Sequence, residues 1–290
     1  MLSLDGKCYA QSHCELAEGP IWDDQQKELL WLDIKQCKVL RLGKDGSGET
    51  VQELTQYIGC MALRQNGGMI LGLATGIYLL GKEGEYRKLE VPGLSERVRF
   101  NDGKCDGKGR FWAGTINIFP GETGIARLYC VLPNQRVFPI LDGVSNSNGL
   151  VFSDDLKTLY YIDTPSRRVD AFDIQEDDQG VPSLHNRRTV VAFTDGWPDG
   201  MTMDKNGFLW VALWGTGAVF SFDPRNGRCM GSVRIPVKAV SSCCFGGEDM
   251  RTLFITTARE GMSEKEEKDA GNVFFARMNV PGVKSHRFLG

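Results

Sequence analysis

The chain alternates short apolar stretches with polar turns, a pattern that is typical of β-strands. Six segments share one order of residues: an apolar lead-in, a polar turn with Asp, Asn or Gly, and a strand rich in aromatic residues. They begin at residues 19, 61, 104, 149, 200 and 243 and read GPIWDDQQKELLWLDI, MALRQNGGMILGLATGIYLL, KCDGKGRFWAGTI, GLVFSDDLKTLYYIDT, GMTMDKNGFLWVALWG and CCFGGEDMRTLFITTA. A unit that recurs six times indicates a repeat architecture.

One apolar residue stands at the same place in each segment and serves as an anchor for measuring the period. Successive anchors lie 40 to 50 residues apart, and they are Leu30, Ile70, Phe111, Leu159, Leu209 and Leu253. This is the period of a four-stranded propeller blade. The segments continue into runs such as GAVFSFDPRNG, which alternate apolar and polar residues as half-exposed outer strands do. The sequence therefore predicts an all-β protein, a six-bladed β-propeller that forms a single domain over residues 1–290.

The two termini and one charged stretch are among the parts of the chain that lie outside the six segments. The termini, at about residues 7–16 and 272–290, are left over from the repeat, and we expect them to share one blade. The charged stretch GMSEKEEKDAG, around residue 261, is interpreted as a solvated loop. Whether residues 260–271 also cover a pocket is left open by the pattern.

Composition narrows the classes of function. The 35 Gly, 15 Phe, 7 Tyr and 6 Trp suit a β-protein, and the net charge of −3 with interspersed acids and bases offers no footprint for nucleic acid or an anionic membrane. No apolar run is close in length to the roughly 20 residues that are needed to span a bilayer. The N-terminus lacks the basic start and apolar core of a secretory signal. We expect a cytoplasmic protein that binds neither nucleic acid nor membrane.

Cysteine and histidine usage excludes two kinds of site. The nine cysteines are odd in number and form no C-x-x-C pair, so they are interpreted as reduced thiols, several of them buried, rather than as disulfides or a zinc cluster. None of the three histidines lies in a repeat segment, which counts against a nucleophilic triad built on histidine.

A short polar residue precedes glycine ten to twelve residues before three of the anchors, in the pairs that begin at Glu18, Asn148 and Asp199. In the third segment, Asn101-Asp102-Gly103 falls at the matching place. Rotation about the propeller axis relates equivalent positions of different blades. These side chains should therefore meet at one mouth of the central channel.

Two carboxylates and one amide oxygen that converge in this way would suit a hard or borderline divalent cation. A cation would also relieve the repulsion between Glu18 and Asp199. The alternative is that each pair is only a turn, since Asp or Asn before Gly is common in β-proteins. The occurrence of three pairs at equivalent places favours the metal site.

Arg99 and Asn101 add a second set of polar groups. Arg99 lies between Val98 and Phe100, so in an extended segment it should point away from the core and into the channel. A guanidinium there could hold sugar hydroxyls or a developing carboxylate. The alternative is a structural salt bridge to Glu18 or Asp102, and the pattern alone leaves both readings open.

Several longer motifs resemble one known family. AEGPIW, RFNDGKCDGKGRFWAGT, SNGL followed by LYYIDT and VDAFD, PDGMTMDKNGFLWVA and SSCCFGG are similar to the senescence-marker-protein/gluconolactonase (regucalcin-like) family, over nearly the whole chain. The resemblance implies a six-bladed propeller with one catalytic divalent metal ion, which could be Ca²⁺, Zn²⁺, Mn²⁺ or Mg²⁺. It implies hydrolysis of a sugar lactone, an aldono-1,4- or 1,5-lactone, to the aldonic acid.

The resemblance also assigns roles by motif. Glu18, Asn148 and Asp199 correspond to the metal ligands, and Asp199 would double as general base. Arg99 and Asn101 correspond to residues that contact substrate. The sequence departs from the family after the AGT motif, where some members carry an acidic residue that holds the sugar. Phe119 lies near that place, and Glu122 could replace the acid only if the loop is shifted.

Other functions are compatible with the same residues. The same ligands would serve a calcium-binding or regulatory propeller without important catalysis. A protein-interaction platform is disfavoured because WD and kelch signatures are absent from the sequence. Hydrolysis of non-sugar esters or phosphotriesters lies close to lactone hydrolysis, because a Lewis-acid metal polarises either group.

Overall fold

The computed structural model describes residues 2–119, 121–260 and 268–290, and β-strands make up most of them. In chain order the strands are β1 (Leu2–Asp5), β2 (Lys7–Ala10), β3 (Ala17–Asp23), β4 (Glu28–Asp33), β5 (Lys38–Leu42), β6 (Gly48–Glu53), β7 (Ile58–Leu63), β8 (Met69–Leu73), β9 (Gly76–Leu80), β10 (Tyr86–Lys88), β11 (Val98–Cys105), β12 (Phe111–Asn117), β13 (Ala126–Val131), β14 (Val137–Val144), β15 (Ser147–Phe152), β16 (Thr158–Asp163), β17 (Arg168–Glu176), β18 (Pro182–Ala192), β19 (Trp197–Met203), β20 (Leu209–Trp214), β21 (Ala218–Asp223), β22 (Arg228–Arg234), β23 (Val240–Gly246), β24 (Thr252–Thr257) and β25 (Val273–Arg277).

These strands form six sheets, in which consecutive strands of the chain lie side by side, except that β1 and β2 join the sheets of later strands. Blade 1 is β3–β6, blade 2 is β7–β10, blade 3 is β11–β14, blade 4 is β15–β18, blade 5 is β19–β22 and blade 6 is β23–β25 with β2. Strand β1 adds a parallel fifth strand to blade 5 beside β22. The predicted six-bladed β-propeller is confirmed.

The chain divides into two compact units. Unit 1 comprises Met1–Tyr57 and Val190–Ser285 and holds blades 1, 5 and 6. Unit 2 comprises Ile58–Thr189 and His286–Gly290 and holds blades 2, 3 and 4, apart from the last three residues of β18. The single domain over residues 1–290 stays a prediction.

The predicted anchors all lie in the second strand of a blade, and each is buried. Apolar residues on both faces of these strands make the core of each unit. In unit 1 a central cluster includes Trp210, Phe245, Leu253 and Phe274. In unit 2 a comparable cluster includes Ile70, Phe100, Phe111, Tyr129 and Phe288. The continuous apolar runs of the repeat are therefore strands that are covered on both sides.

The prediction for the termini is confirmed in part. Strand β2 pairs with β25 in blade 6, so the two ends of the chain share this blade. The last residues lie elsewhere: the N–H of Phe288 donates to the carbonyl of Leu63 at 2.8 Å, against blade 2. The nine cysteines, all within the described ranges, form no disulfide there, and six of them are buried. Most of the predicted charged loop, residues 261–267, lies outside the described residues. Within the described ranges, the structure contains no helix with the length and apolar character of a membrane span.

Two of the polar turns in the repeat have the same hydrogen bonds. Asp106 accepts backbone N–H groups from the turn that follows it, and its second oxygen accepts the indole N–H of Trp112 at 2.8 Å. Asp204 does the same, with the indole of Trp210 at 2.9 Å. The turn reads Asp-x-x-Gly-x-x-Trp in both places, and Gly109 takes the positive φ that this turn needs (71°). The repeated aspartates and tryptophans in these segments are structural.

Asp106→Ala and Asp204→Ala should differ in stability because only the first turn also holds a buried arginine. Arg110 donates its Nε–H to Asp106 at 2.6 Å, and both side chains are buried. Removing Asp106 leaves that charge without its nearer partner and should lower the free energy of unfolding by about 3–5 kcal/mol. Removing Asp204 leaves neutral donors without an acceptor and should cost about 1–3 kcal/mol. Urea unfolding followed by tryptophan fluorescence measures both; equal losses would contradict the role given to Arg110.

Candidate functional site

In every blade, the pairing between the first and second strands loses register close to the start of the first strand. Such β-bulges re-aim side chains and are frequent next to active sites. Four of the predicted site residues lie at or within these bulges, and they are Glu18, Asn101, Asn148 and Asp199. The polar residues before glycine are therefore bulge residues at equivalent places of different blades, rather than residues of turns between strands.

In unit 1, Glu18 stands at the second position of β3 and is only 6% exposed. Its Oε2 accepts the N–H of Gly19 at 2.7 Å. Gly19 has a φ of +52°, a conformation that most other residues adopt only with strain. The glycine thus allows the backbone conformation in which its own N–H donates to the carboxylate of Glu18.

Asp199 is the other predicted carboxylate ligand in unit 1, and it is less buried than Glu18. The next residue, Gly200, packs so closely on β23 that an added Cβ would lie 1.9 Å from the hydroxyl of Ser242. On the other side of β23, the hydroxyl of Ser241 donates to the carbonyl of Ala17, next to Glu18. Strand β23 therefore lies between the strands that carry the two carboxylates.

In unit 2, Asn148 is 4% exposed and has a defined orientation. Its Nδ2 donates to Oγ1 of Thr164, the first residue after β16, at 2.9 Å. With the nitrogen end bound to the threonine, the carbonyl oxygen is the end of the amide that can bind a cation.

Ser147, the residue before Asn148, is closely packed. The hydroxyl of Tyr161 donates to Oγ of Ser147 at 2.7 Å, and burial raises the pKa of Tyr161, so the donor keeps its proton. Gly114, the glycine of the AGT motif, faces the same serine, and a Cβ there would lie 1.7 Å from its Oγ. Only glycine leaves room for this packing.

Arg99 and Asn101 lie side by side in unit 2. Arg99 Nη1 donates to Oδ1 of Asn101 at 3.0 Å and to the carbonyl of Phe100 at 2.8 Å. Asn101 Nδ2 donates to Oδ1 of Asn146 and to the carbonyl of Ser147, both at 3.0 Å. The amide of Asn101 is thereby fixed, and it is linked to the strand that carries Asn148.

Asp102 is one of the two salt-bridge partners that the sequence allows for Arg99. Its Oδ1 instead accepts the N–H of Gly103 at 2.7 Å, in the same way as Glu18 accepts the N–H of the glycine that follows it. Burial raises the pKa of Asp102, and the charge of Lys104 and the N–H of Gly103 offset this only in part.

The loop after the AGT motif carries an exposed aromatic ring. Phe119 is 47% exposed, its N–H donates to Oδ1 of Asn117 at 2.9 Å, and its ring centroid lies 5.4 Å from the guanidinium carbon of Arg97. Glu122 forms an ion pair with the same arginine. The carboxylate of Glu122 is therefore bound by Arg97, and the loop presents the apolar side chains of Ile118 and Phe119 to solvent.

In unit 1 Glu18 and Asp199 supply carboxylates, and in unit 2 Asn148 supplies an amide oxygen whose nitrogen is already bound. Oxygen donors of both kinds suit a hard divalent cation. The described ranges contain no group of three or more His, Cys, Asp or Glu side chains that could hold a metal. Sequence reasoning missed Asn146 and Thr164, because their roles depend on contacts between strands.

Comparison with known proteins places these motifs in one family. Residues 16–259 match the family described as SMP-30/Gluconolactonase/LRE-like region. The chain is 38% identical to a 6-deoxy-6-sulfogluconolactonase of Pseudomonas putida, over 98% of both chains. It is 36% identical to regucalcin of Xenopus laevis, over the full length of both.

Solved structures share the fold. A calcium-binding protein, regucalcin, from Agrobacterium tumefaciens superimposes with a TM-score of 0.89 at 24% identity, over 99% of this chain and 98% of that one. A luciferin-regenerating enzyme superimposes with a TM-score of 0.87 at 24% identity, over 97% and 98%. The chain therefore belongs to the SMP-30/gluconolactonase/LRE-like family.

Proposed function

We propose that this protein hydrolyses a sugar lactone, an aldono-1,4- or 1,5-lactone, to the aldonic acid, with Glu18, Asn148 and Asp199 holding one divalent cation. The observation that carries the proposal is that these three residues occupy equivalent bulges at the start of three first strands. The relationship to a 6-deoxy-6-sulfogluconolactonase supports the reaction class.

A bound divalent cation would polarise the lactone carbonyl and stabilise the negative charge that develops on its oxygen. The ion could be Ca²⁺, Mg²⁺, Mn²⁺ or Zn²⁺, since carboxylate and amide oxygens suit the first three and an open site with carboxylates also accepts zinc.

Asp199 is the carboxylate suited to proton transfer. It is more exposed than Glu18, so it can contact a water molecule that approaches the lactone carbonyl. The carboxylate takes a proton from that water as the new C–O bond forms. The same proton can then pass to the ring oxygen when the ring opens. This sequence needs neither a serine nor a cysteine nucleophile.

Arg99 and Asn101 orient the sugar. Both hydrogens of the Asn101 amide are used within unit 2, and its Oδ1 accepts one hydrogen bond from Arg99. The second lone pair of that oxygen can accept a hydrogen bond from a sugar hydroxyl. Arg99 would contribute N–H donors to hydroxyl or carbonyl oxygens beside it.

The second candidate is a calcium-binding or regulatory protein in which catalysis is unimportant. It is favoured by the similarity to proteins named regucalcin and to a solved structure described as a calcium-binding protein. The proposed ligands would serve both functions. A cytoplasmic location and the absence of nucleic-acid and membrane partners stay predictions.

Asp199→Asn should lower kcat for lactone hydrolysis at least about a hundredfold, because the amide cannot take the proton from water. A pH-stat assay with excess divalent cation measures the effect. Asp195→Asn is the matched control: Asp195 is an exposed aspartate four residues away, and its loss should leave kcat unchanged. Activity of Asp199→Asn within tenfold of the unmodified protein would remove Asp199 from the mechanism.

Removal of the cation should abolish hydrolysis, and its return should restore it. The assay follows proton release from glucono-, galactono-, xylono- and arabinonolactone after treatment with chelator, and again after addition of Ca²⁺, Zn²⁺, Mn²⁺ or Mg²⁺ singly. We expect turnover of at least one lactone with at least one ion. Binding of Ca²⁺ in calorimetry without turnover of any lactone would favour the calcium-binding alternative.

A further inference from the structure

Blade 1 ends its second strand with a buried aspartate that binds the backbone just ahead of the first strand. Asp33 is 4% exposed, and its carboxylate accepts the N–H of Glu15 at 2.9 Å and the N–H of Leu16 at 3.3 Å. These two residues stand three and two positions before Glu18. The carboxylate therefore fixes the chain from which Glu18 projects.

Blade 4 repeats this arrangement around Asn148. Asp163 ends β16, and its carboxylate accepts the N–H of Ser145 at 3.3 Å and the N–H of Asn146 at 2.8 Å. These residues again stand three and two positions before the predicted ligand. The registers agree as well, since Ala17 pairs with Asp33 and Ser147 pairs with Asp163.

The other four blades lack an aspartate at this place. The residues at the corresponding end of the second strand are Leu73, Asn117, Trp214 and Thr257. Blades 2 and 6 have bulges without a predicted site residue, whereas blade 3 carries Asn101 and blade 5 carries Asp199 without such an aspartate. The aspartate thus accompanies Glu18 and Asn148, and it is not a requirement of the blade fold.

In blade 4 the aspartate and the threonine after it act on neighbouring groups. The N–H of Thr164 donates to the carbonyl of Asn146 at 3.0 Å. Oγ1 of Thr164 accepts a hydrogen bond from Nδ2 of Asn148 at 2.9 Å. The N–H of Asn146 donates to Asp163, and Oδ1 of Asn146 accepts a hydrogen bond from Nδ2 of Asn101. One dipeptide therefore orients the amide of Asn148 and, through Asn146, the amide of Asn101.

We propose that Asp163 and Thr164 are positioning residues that set the orientation of the Asn148 amide toward the cation, and that Asp33 serves Glu18 in the same way. The inference rests on the proposed function of Asn148 as a metal ligand. Hydrogen bonds from backbone N–H groups to a carboxylate are charge-assisted and hold their donors firmly. Partners that orient metal ligands in this way typically change metal affinity or activity by about ten- to a hundredfold when they are replaced.

Thr164→Val tests the proposal most directly, because it replaces the acceptor hydroxyl with a methyl group of similar size. We expect the Kd for Ca²⁺, measured by calorimetry on chelator-treated protein, to rise at least about tenfold. Thr164→Ser keeps the acceptor and should bind Ca²⁺ within about twofold of the unmodified protein. Thr158→Val, at the opposite end of β16, is the control and should bind as the unmodified protein does.

A second readout separates positioning from general stability. The melting temperature of Thr164→Val without Ca²⁺ should stay close to that of the unmodified protein, and the side-chain amide signals of Asn148 and Asn101 should shift in ¹⁵N spectra. Asp163→Asn should weaken Ca²⁺ binding and raise KM for the lactone, because it loosens both amides.

The outcomes distinguish the positioning role of Thr164 from the existence of the metal site. Ca²⁺ affinity of Thr164→Val equal to that of the unmodified protein would overturn the positioning role and leave the metal site standing. If the unmodified protein binds neither Ca²⁺ nor Mn²⁺ and turns over no lactone, the proposed function and this inference both fail.

Discussion

In each blade the first strand loses register against the second just after it begins, and the candidate site depends on this β-bulge. A regular strand sends alternate side chains to opposite faces, where they pack against neighbouring sheets. The bulge breaks the alternation at the places occupied by Glu18, Asn101, Asn148 and Asp199. These polar side chains therefore need not pack against a neighbouring sheet, while the apolar residues later in the same strand remain buried in the core.

The glycines beside these residues make the bulges possible. Gly19 takes a positive φ, and Gly200 lies against Ser242 with no room for a side chain. A short polar residue is therefore followed by glycine for a conformational reason. The glycine permits the backbone conformation of the bulge, and the bulge sets the direction of the polar side chain. The same reasoning explains the AGT motif, in which Gly114 makes space for Ser147.

Two pairs of aspartates in the repeat have different structural roles. Asp106 and Asp204 close turns between strands and bind an indole N–H, which stabilises the blade itself. Asp33 and Asp163 bind the backbone ahead of a site residue, and they occur only in the blades of Glu18 and Asn148. An acidic residue in a repeat is thus not evidence of a site until its hydrogen bonds are known.

The period of the repeat, the six second strands and the equivalence of Glu18, Asn148 and Asp199 could all be predicted from the sequence, because they depend on local alternation and on spacing along the chain. The motifs were likewise sufficient to predict the family. Only the tertiary structure decided that Asn148 turns its nitrogen to Thr164, that Asp102 binds its neighbouring glycine, and that Glu122 is held by Arg97. Each of these depends on a contact whose geometry is set by strand register and loop path, and a residue pattern carries neither.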